Sequence, residues 1–92
     1  MSNGKLNEEL GRASEAQAIL NNDLFKEAFE TVKAAYTDAW LNSPARDTEG
    51  REKIYQFMQA LTAVEGHLVS VVQTGEMAKA QLEDLRTHTR LM

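Results

Sequence analysis

The 92-residue chain has no cysteine, one proline and one tryptophan. Without thiols it can form neither a disulfide framework nor a thiolate zinc site, a composition that suits a reducing cytoplasm. No stretch approaches the roughly 18 apolar residues of a membrane span, and no apolar run follows the first five residues. These absences predict a soluble, cytoplasmic protein with no membrane partner.

The formal charge of −4 is unevenly placed. Residues 1–50 hold five basic and nine acidic side chains, whereas residues 51–92 hold five of each. Nucleic-acid binding draws most of its affinity from neutralised phosphates and prefers a basic stripe. The acidic first half therefore disfavours nucleic acid as the main partner. The basic residues that could still contact it are Arg46, Arg51, Lys53, Arg86 and Arg90.

A helix over residues 48–86 is the strongest signal in the sequence. Its apolar residues follow one another at alternating spacings of three and four, which is typical of a helix that packs against other helices. They are Ile54, Phe57, Leu61, Val64, Leu68, Val71, Gly75, Ala78, Leu82 and Leu85. Over its first three heptads the apolar arc is roughly 160° wide, which predicts neighbours on two sides. Beyond residue 74 the arc narrows and one partner is enough.

Two shorter helices are predicted before it, over residues 5–20 and 23–42. The first has a thin, alanine-rich stripe and depends on tertiary contacts. The second has a broad apolar face and four of the six aromatic residues, and its opposite face is polar. The apolar face comprises Phe25, Ala28, Phe29, Val32, Ala35, Tyr36, Ala39 and Trp40. The polar face comprises Lys26, Glu27, Glu30, Lys33 and Thr37.

The connections between these segments indicate the fold class. Asn22 or Asp23 can cap the second helix, and Asp47 or Thr48 the third. The link between the second and third helices is about five residues long, so they are expected to be antiparallel neighbours. We predict a single all-α domain over 1–92: a long antiparallel helical hairpin with an additional N-terminal helix and coiled-coil-type packing. Gly75 either breaks the third helix at 74–75 or allows Ala16 or a partner backbone to approach closely.

The sequence contains no catalytic or cofactor motif. Paired acids occur without a partner histidine or a glycine-rich turn, so solvated helix faces explain them better. His67 and His88 would lie about 31 Å apart along one helix and cannot share a metal ion within the chain. We therefore expect a protein that is not an enzyme and has no cofactor and no metal.

Small residues at fourfold spacing suggest a contact surface on the third helix. Thr62, Gly66 and Ser70 form this row, and a mid-helix glycine costs about 1 kcal/mol relative to alanine. The row could receive a partner or the first helix of the same chain, and both interpretations stay open. The predicted self-association or partner residues are Thr62, Gly66, Val69, Ser70, Val72 and Met77.

Four short segments carry a family resemblance: NSPARD at 42–47, GREK at 50–53, GHL at 66–68 and TG at 74–75. With them, the chain resembles short all-helical proteins from the head-assembly and DNA-packaging region of bacteriophage and prophage genomes. The resemblance implies a virion-assembly or packaging accessory protein, which could be incorporated in a virion. A small terminase subunit is a similar protein, but residues 5–42 lack its N-terminal helix-turn-helix with a basic recognition helix.

Three functions follow as hypotheses. The first is a non-enzymatic helical protein that oligomerises or docks on a protein partner. The second is a small-terminase-like subunit that binds nucleic acid. The third is a small phage inhibitor that binds a host protein through the acidic first half of the chain.

Overall fold

The computed structural model describes residues 3–91, with side chains through Thr87. The described chain forms α1 (Asn3–Leu20), α2 (Asp23–Leu41) and α3 (Thr48–Leu91). The predicted all-α three-helix arrangement is confirmed, and α3 packs against both other helices. At 44 residues α3 is longer than α1 and α2 together.

Polar side chains fix the helix starts at both connections. The Asn22 side chain accepts a hydrogen bond from the backbone N–H of Phe25 at 2.9 Å, so Asn22 is the N-cap of α2. The carboxylate of Asp47 accepts from the backbone N–H of Gly50 at 3.0 Å and caps α3 in the same way. Between them, the backbone N–H of Ser43 donates to the carbonyl of Trp40 at 3.2 Å and closes the end of α2.

The chain forms two compact units, which share α3. The terminal unit comprises Met1–Leu20 and His67–Met92. The hairpin unit comprises Asn21–Gly66. Each unit is therefore essentially a pair of helices, with α3 contributing its C-terminal part to the first unit and its N-terminal part to the second.

The terminal unit is held by small residues that allow close packing. Leu6, Ala16, Gly75 and Ala78 are buried in it. A Cβ atom on Gly75 would collide with the Cβ of Ala13 and would lie 3.3 Å from the carbonyl oxygen of Glu9. The helix continues through Gly75 without a break, and the backbone that approaches it belongs to Ala13, one turn before the predicted Ala16. Gly75 is therefore a close-contact position inside a helix.

The hairpin unit is an antiparallel pair made of α2 and the N-terminal part of α3. Lys33 meets Glu65, Tyr36 meets Phe57, and Trp40 meets Arg51, so position numbers rise along α2 as they fall along α3. In contrast to the terminal unit, no residue of Asn21–Gly66 is buried.

Candidate functional site

Aromatic side chains fill the contact between α2 and α3 in the hairpin unit. The rings of Tyr36 and Phe57 stack across the two helices with their centroids 5.5 Å apart. Within α2, the rings of Phe25 and Phe29 lie 4.6 Å apart. Near the turn, the Arg51 guanidinium lies 4.0 Å above the Trp40 ring, a cation–π contact. The contacts of Tyr36 with Phe57 and of Trp40 with Arg51 join the two helices.

One flank of this contact is polar. The Lys33 ammonium lies 3.3 Å from a Glu65 carboxylate oxygen, and the Thr37 hydroxyl contacts the Met58 sulfur at 3.8 Å. Lys33 is half-buried, so the prediction that it lies on the outer polar face of α2 is wrong. The aliphatic stem of a lysine can cover apolar surface while its charged end stays in water, which is how Lys33 takes a place beside the aromatic residues.

The opposite flank is apolar and uncovered. Each residue turns a helix by about 100°, which puts Val32 on the side of α2 away from Lys33 and Thr37, and Val64 on the side of α3 away from Met58. Because Lys33 and Thr37 meet Glu65 and Met58 on one flank, the valines share the other. We call this surface the hairpin face. Its residues, all exposed, are Ala28, Val32, Ala35, Ala39, Phe57, Ala60 and Val64.

The exposure of the hairpin face is unusual for its side chains. Val32 is 38%, Phe57 52% and Val64 53% exposed. Phe57 and Val64 belong to the regular apolar spacing of α3, and Val32 belongs to the apolar face of α2. Scattered exposed apolar residues are normal, but a contiguous apolar patch marks an interaction surface.

The charged residues nearest to the hairpin face lie on the back of α2 and within the apolar span of α3. The 100° rotation puts Glu27 and Asp38 on the side of α2 that points away from α3, and it puts Lys53 between Val64 and Ala60 on α3. All three charged side chains are exposed. The Asp38 carboxylate accepts a hydrogen bond from the Asn42 side-chain amide at 3.2 Å.

The residues predicted for self-association do not lie on the hairpin face. Thr62 and Gly66 are exposed in the hairpin unit, and nothing lies within 4 Å of a Cβ built on Gly66. A side chain at position 66 would therefore meet open space. The other four predicted residues belong to the terminal unit, where Val72 is half-buried and the others are exposed; they are Val69, Ser70, Val72 and Met77.

Hydrogen bonds within α3 occupy the hydroxyl groups of the small-residue row. Thr62 donates to the carbonyl of Met58 at 3.1 Å, and Ser70 donates to the carbonyl of His67 at 2.7 Å. Both bonds return a side chain to its own helix, as serine and threonine commonly do in helices. The row therefore presents little free hydrogen-bonding capacity.

The basic residues predicted for nucleic-acid contact are dispersed. The Arg51 guanidinium makes its contacts within the hairpin unit. Besides lying over Trp40, it donates hydrogen bonds to the carbonyl and hydroxyl oxygens of Ser43 at 3.3 and 3.0 Å. Arg46, Lys53 and Arg86 are exposed, and Arg86 belongs to the terminal unit. The side chain of Arg90 lies outside the described residues. Arg51 is the residue whose structural role the sequence did not reveal, because the stacking partner Trp40 lies eleven positions away.

The terminal unit has a shallow groove of about 220 Å³ beside His67. Glu9 and Arg12 of α1 line it together with Ser70 and Thr74 of α3. Over the part of the chain whose side chains are described, no three acidic, histidine or cysteine residues come together as a metal site would require. The side chain of His88 lies outside that part.

Searches for relatives give no family for this protein. No protein-family model, no curated protein and no solved structure matches the chain. Within residues 3–91, none of the helices has an apolar stretch of the length and hydropathy that crossing a bilayer takes.

Proposed function

We propose that this protein is a non-enzymatic helical interaction module, whose hairpin face is covered in the working state by another protein chain. The chain would act by binding alone, with hydrophobic burial supplying the affinity. The setting proposed for that binding, virion assembly or DNA packaging in a bacteriophage, rests on the sequence resemblance described above.

The observation that supports this proposal is the absence of a buried residue in the hairpin unit. Two helices can bury only the line along which they touch, and most helical stability in proteins comes from packing an amphipathic face. Here the apolar arc of each helix is wider than that line, so Val32 and Val64 are left in water. A further helix laid over the hairpin face would bury both.

The described side chains offer little support for catalysis. A catalytic site needs a nucleophile, an acid–base pair or a cofactor loop gathered in a concave pocket. The groove beside His67 is shallow and open, and it holds one histidine, one arginine and one carboxylate. A binding role agrees better with these side chains than a catalytic role does.

Photo-crosslinking in the cells that make the protein naturally tests the proposal. A photoreactive phenylalanine analogue at Val64 sits on the hairpin face and should give one discrete covalent adduct, whose second chain mass spectrometry identifies. The matched control is the same analogue at Gln59, which is also exposed and points away from the hairpin face on the same helix. The proposal is wrong if position 64 gives no adduct or gives the same products as position 59.

A further inference from the structure

We infer that Asn3 is a site of spontaneous covalent modification, at which the side-chain amide is lost and a carboxylate takes its place. The chain has five asparagines, and Asn3 is the one that precedes a glycine. In this reaction the backbone nitrogen of the next residue attacks the side-chain carbon of asparagine, and a glycine, which has no Cβ atom, leaves that approach open. The inference is separate from the proposed function and involves no residue of the hairpin face.

The chemistry needs water and no other reactant. The Gly4 nitrogen forms a bond to Cγ of Asn3, the bond from Cγ to the amide nitrogen breaks, and ammonia leaves with the proton of the Gly4 N–H. Water then opens the five-membered succinimide ring and returns a proton to the Gly4 nitrogen. Attack of water at Cγ gives aspartate, whereas attack at the backbone carbonyl carbon gives isoaspartate, whose backbone runs through Cβ and Cγ.

The start of α1 leaves both reacting groups accessible. Asn3 and Gly4 are exposed, and the first buried residue of α1 is Leu6. The N–H groups of the first turn have no acceptor inside the helix, so the Gly4 nitrogen is not held by the hydrogen bonds of α1. Glycine also weakens a helix relative to alanine, and helix ends open at a cost close to zero. Asn3 can therefore leave its helical conformation and bring Cγ to the Gly4 nitrogen at little cost.

Asn42 provides the contrast in the hairpin unit. It precedes Ser43, the smallest residue after glycine to follow an asparagine in this chain. The N–H of Ser43, whose nitrogen would have to attack, donates to the Trp40 carbonyl at 3.2 Å. The side-chain amide of Asn42 donates to the Asp38 carboxylate at 3.2 Å. Because hydrogen bonds hold both reacting groups, the folded structure protects Asn42 and leaves Asn3 unprotected.

The modification changes the charge at the start of α1. The first turn of α1 has no acidic residue, and aspartate at position 3 makes the formal charge of −4 one unit more negative. A carboxylate near the N-terminus of a helix interacts favourably with the helix dipole, so the aspartate product keeps α1 intact. The isoaspartate product adds one carbon to the backbone and disrupts the regular geometry of the turn before Leu6.

Peptide mapping by mass spectrometry, during incubation at mildly alkaline pH, follows both sites. Trypsin cleaves after lysine and arginine and places Asn3 on peptide 1–5 and Asn42 on peptide 34–46. Each rate of amide loss is measured on the folded protein and in urea. We expect the two rates at Asn3 to agree within about threefold, and the rate at Asn42 to be at least about tenfold lower in the folded protein. No loss at Asn3, or equal protection of the two sites, overturns the inference.

A Gly4→Ala variant tests the part played by the glycine. The added Cβ atom obstructs the approach of the residue 4 nitrogen, so amide loss from Asn3 should slow by about an order of magnitude. The comparison is made in urea, where the higher helix propensity of alanine has no effect on the rate. Peptide 34–46 of the same sample is the internal control and should be unchanged. An unchanged rate at Asn3 contradicts attack by the Gly4 nitrogen.

The products provide a measurement that does not depend on rates. Opening of the succinimide ring gives both aspartate and isoaspartate, so the modified peptide 1–5 should separate on a reversed-phase column into two forms of equal mass. Direct hydrolysis of the Asn3 amide by water gives aspartate alone. Two forms therefore support attack by the Gly4 nitrogen, and a single aspartate form rules it out.

Discussion

The two units of this molecule bury their residues differently. The terminal unit has no aromatic residue, yet Leu6, Ala16, Gly75 and Ala78 are buried in it. The hairpin unit holds all six aromatic residues of the chain, and no residue in it is buried. Two helices therefore bury more of what lies between them when the residues at the contact are small.

We attribute this difference to the size of the side chains at each contact. Helix axes lie 8–10 Å apart in packed proteins, depending on the side chains between them. Ala13 against Gly75 brings two backbones together and closes the space around them. Stacked rings such as Tyr36 and Phe57 are much bulkier than alanine and glycine, and the flanks of the hairpin unit stay open to solvent.

The largest effect on stability should come from truncating a buried leucine of the terminal unit, with an exposed leucine of the hairpin unit as its control. Leu6 is 1% exposed in the terminal unit, and Leu24 is 72% exposed in the hairpin unit. Leu6→Ala should lower the free energy of unfolding by about 3 kcal/mol, because it removes buried methyl groups and leaves a cavity. Leu24→Ala should change it by less than about 0.5 kcal/mol.

Urea unfolding followed by far-ultraviolet circular dichroism measures both leucine variants. The protein concentration must be held fixed, because association adds to apparent stability. Equal effects of the two substitutions would mean that the two units do not differ in packing as described.

Two glycines, one in each unit, allow the same comparison with smaller changes in stability. Gly75→Ala should lower the free energy of unfolding by about 2 kcal/mol, since the added methyl group overpacks the contact with Ala13. Gly66→Ala should raise it by about 0.5 to 1 kcal/mol, since alanine is the better helix former and the site is open. The same urea titration reads both changes, and a destabilising Gly66→Ala would show that the position is not open.

The smallest effect concerns the polar flank of the hairpin unit. Lys33 and Glu65 are 43% and 40% exposed, so solvent screens their attraction. A double-mutant cycle with Lys33→Ala and Glu65→Ala should give a coupling of about 0.3 kcal/mol, which falls with added salt. A coupling above about 1 kcal/mol would mean that the polar flank, like the buried contacts of the terminal unit, contributes substantially to stability.

Apolar spacing and capping preferences, which depend only on nearby residues, were enough to predict the helices. Apolar spacing predicted α2 and α3, and the capping preference of short polar residues narrowed the starts of both to two candidates each. The start of α1 was less certain, because its stripe is thin and its first residues carry no strong cap. The prediction began that helix at residue 5, and the structure begins it at Asn3.

Side-chain size decided which residues make the contacts between helices, a choice that the apolar spacing alone leaves open. The apolar spacing of α3 does not say whether α2 packs over Val64 or over Glu65, because both border the same line. The structure puts Lys33 beside Glu65 and leaves Val64 exposed. Likewise, the sequence left Gly75 either as a break or as a close-contact position for Ala16 or a partner backbone, whereas the contact is made by Ala13, one turn earlier on α1.

The location of all six aromatic residues in the hairpin unit makes the two units differ in their optical signals. Tryptophan emission and near-ultraviolet dichroism come only from the hairpin unit, because the terminal unit has no chromophore of that kind. Far-ultraviolet dichroism reports helix throughout the chain. A single thermal scan that records both signals therefore shows whether the hairpin unit opens before the rest or melts with it, with no label attached.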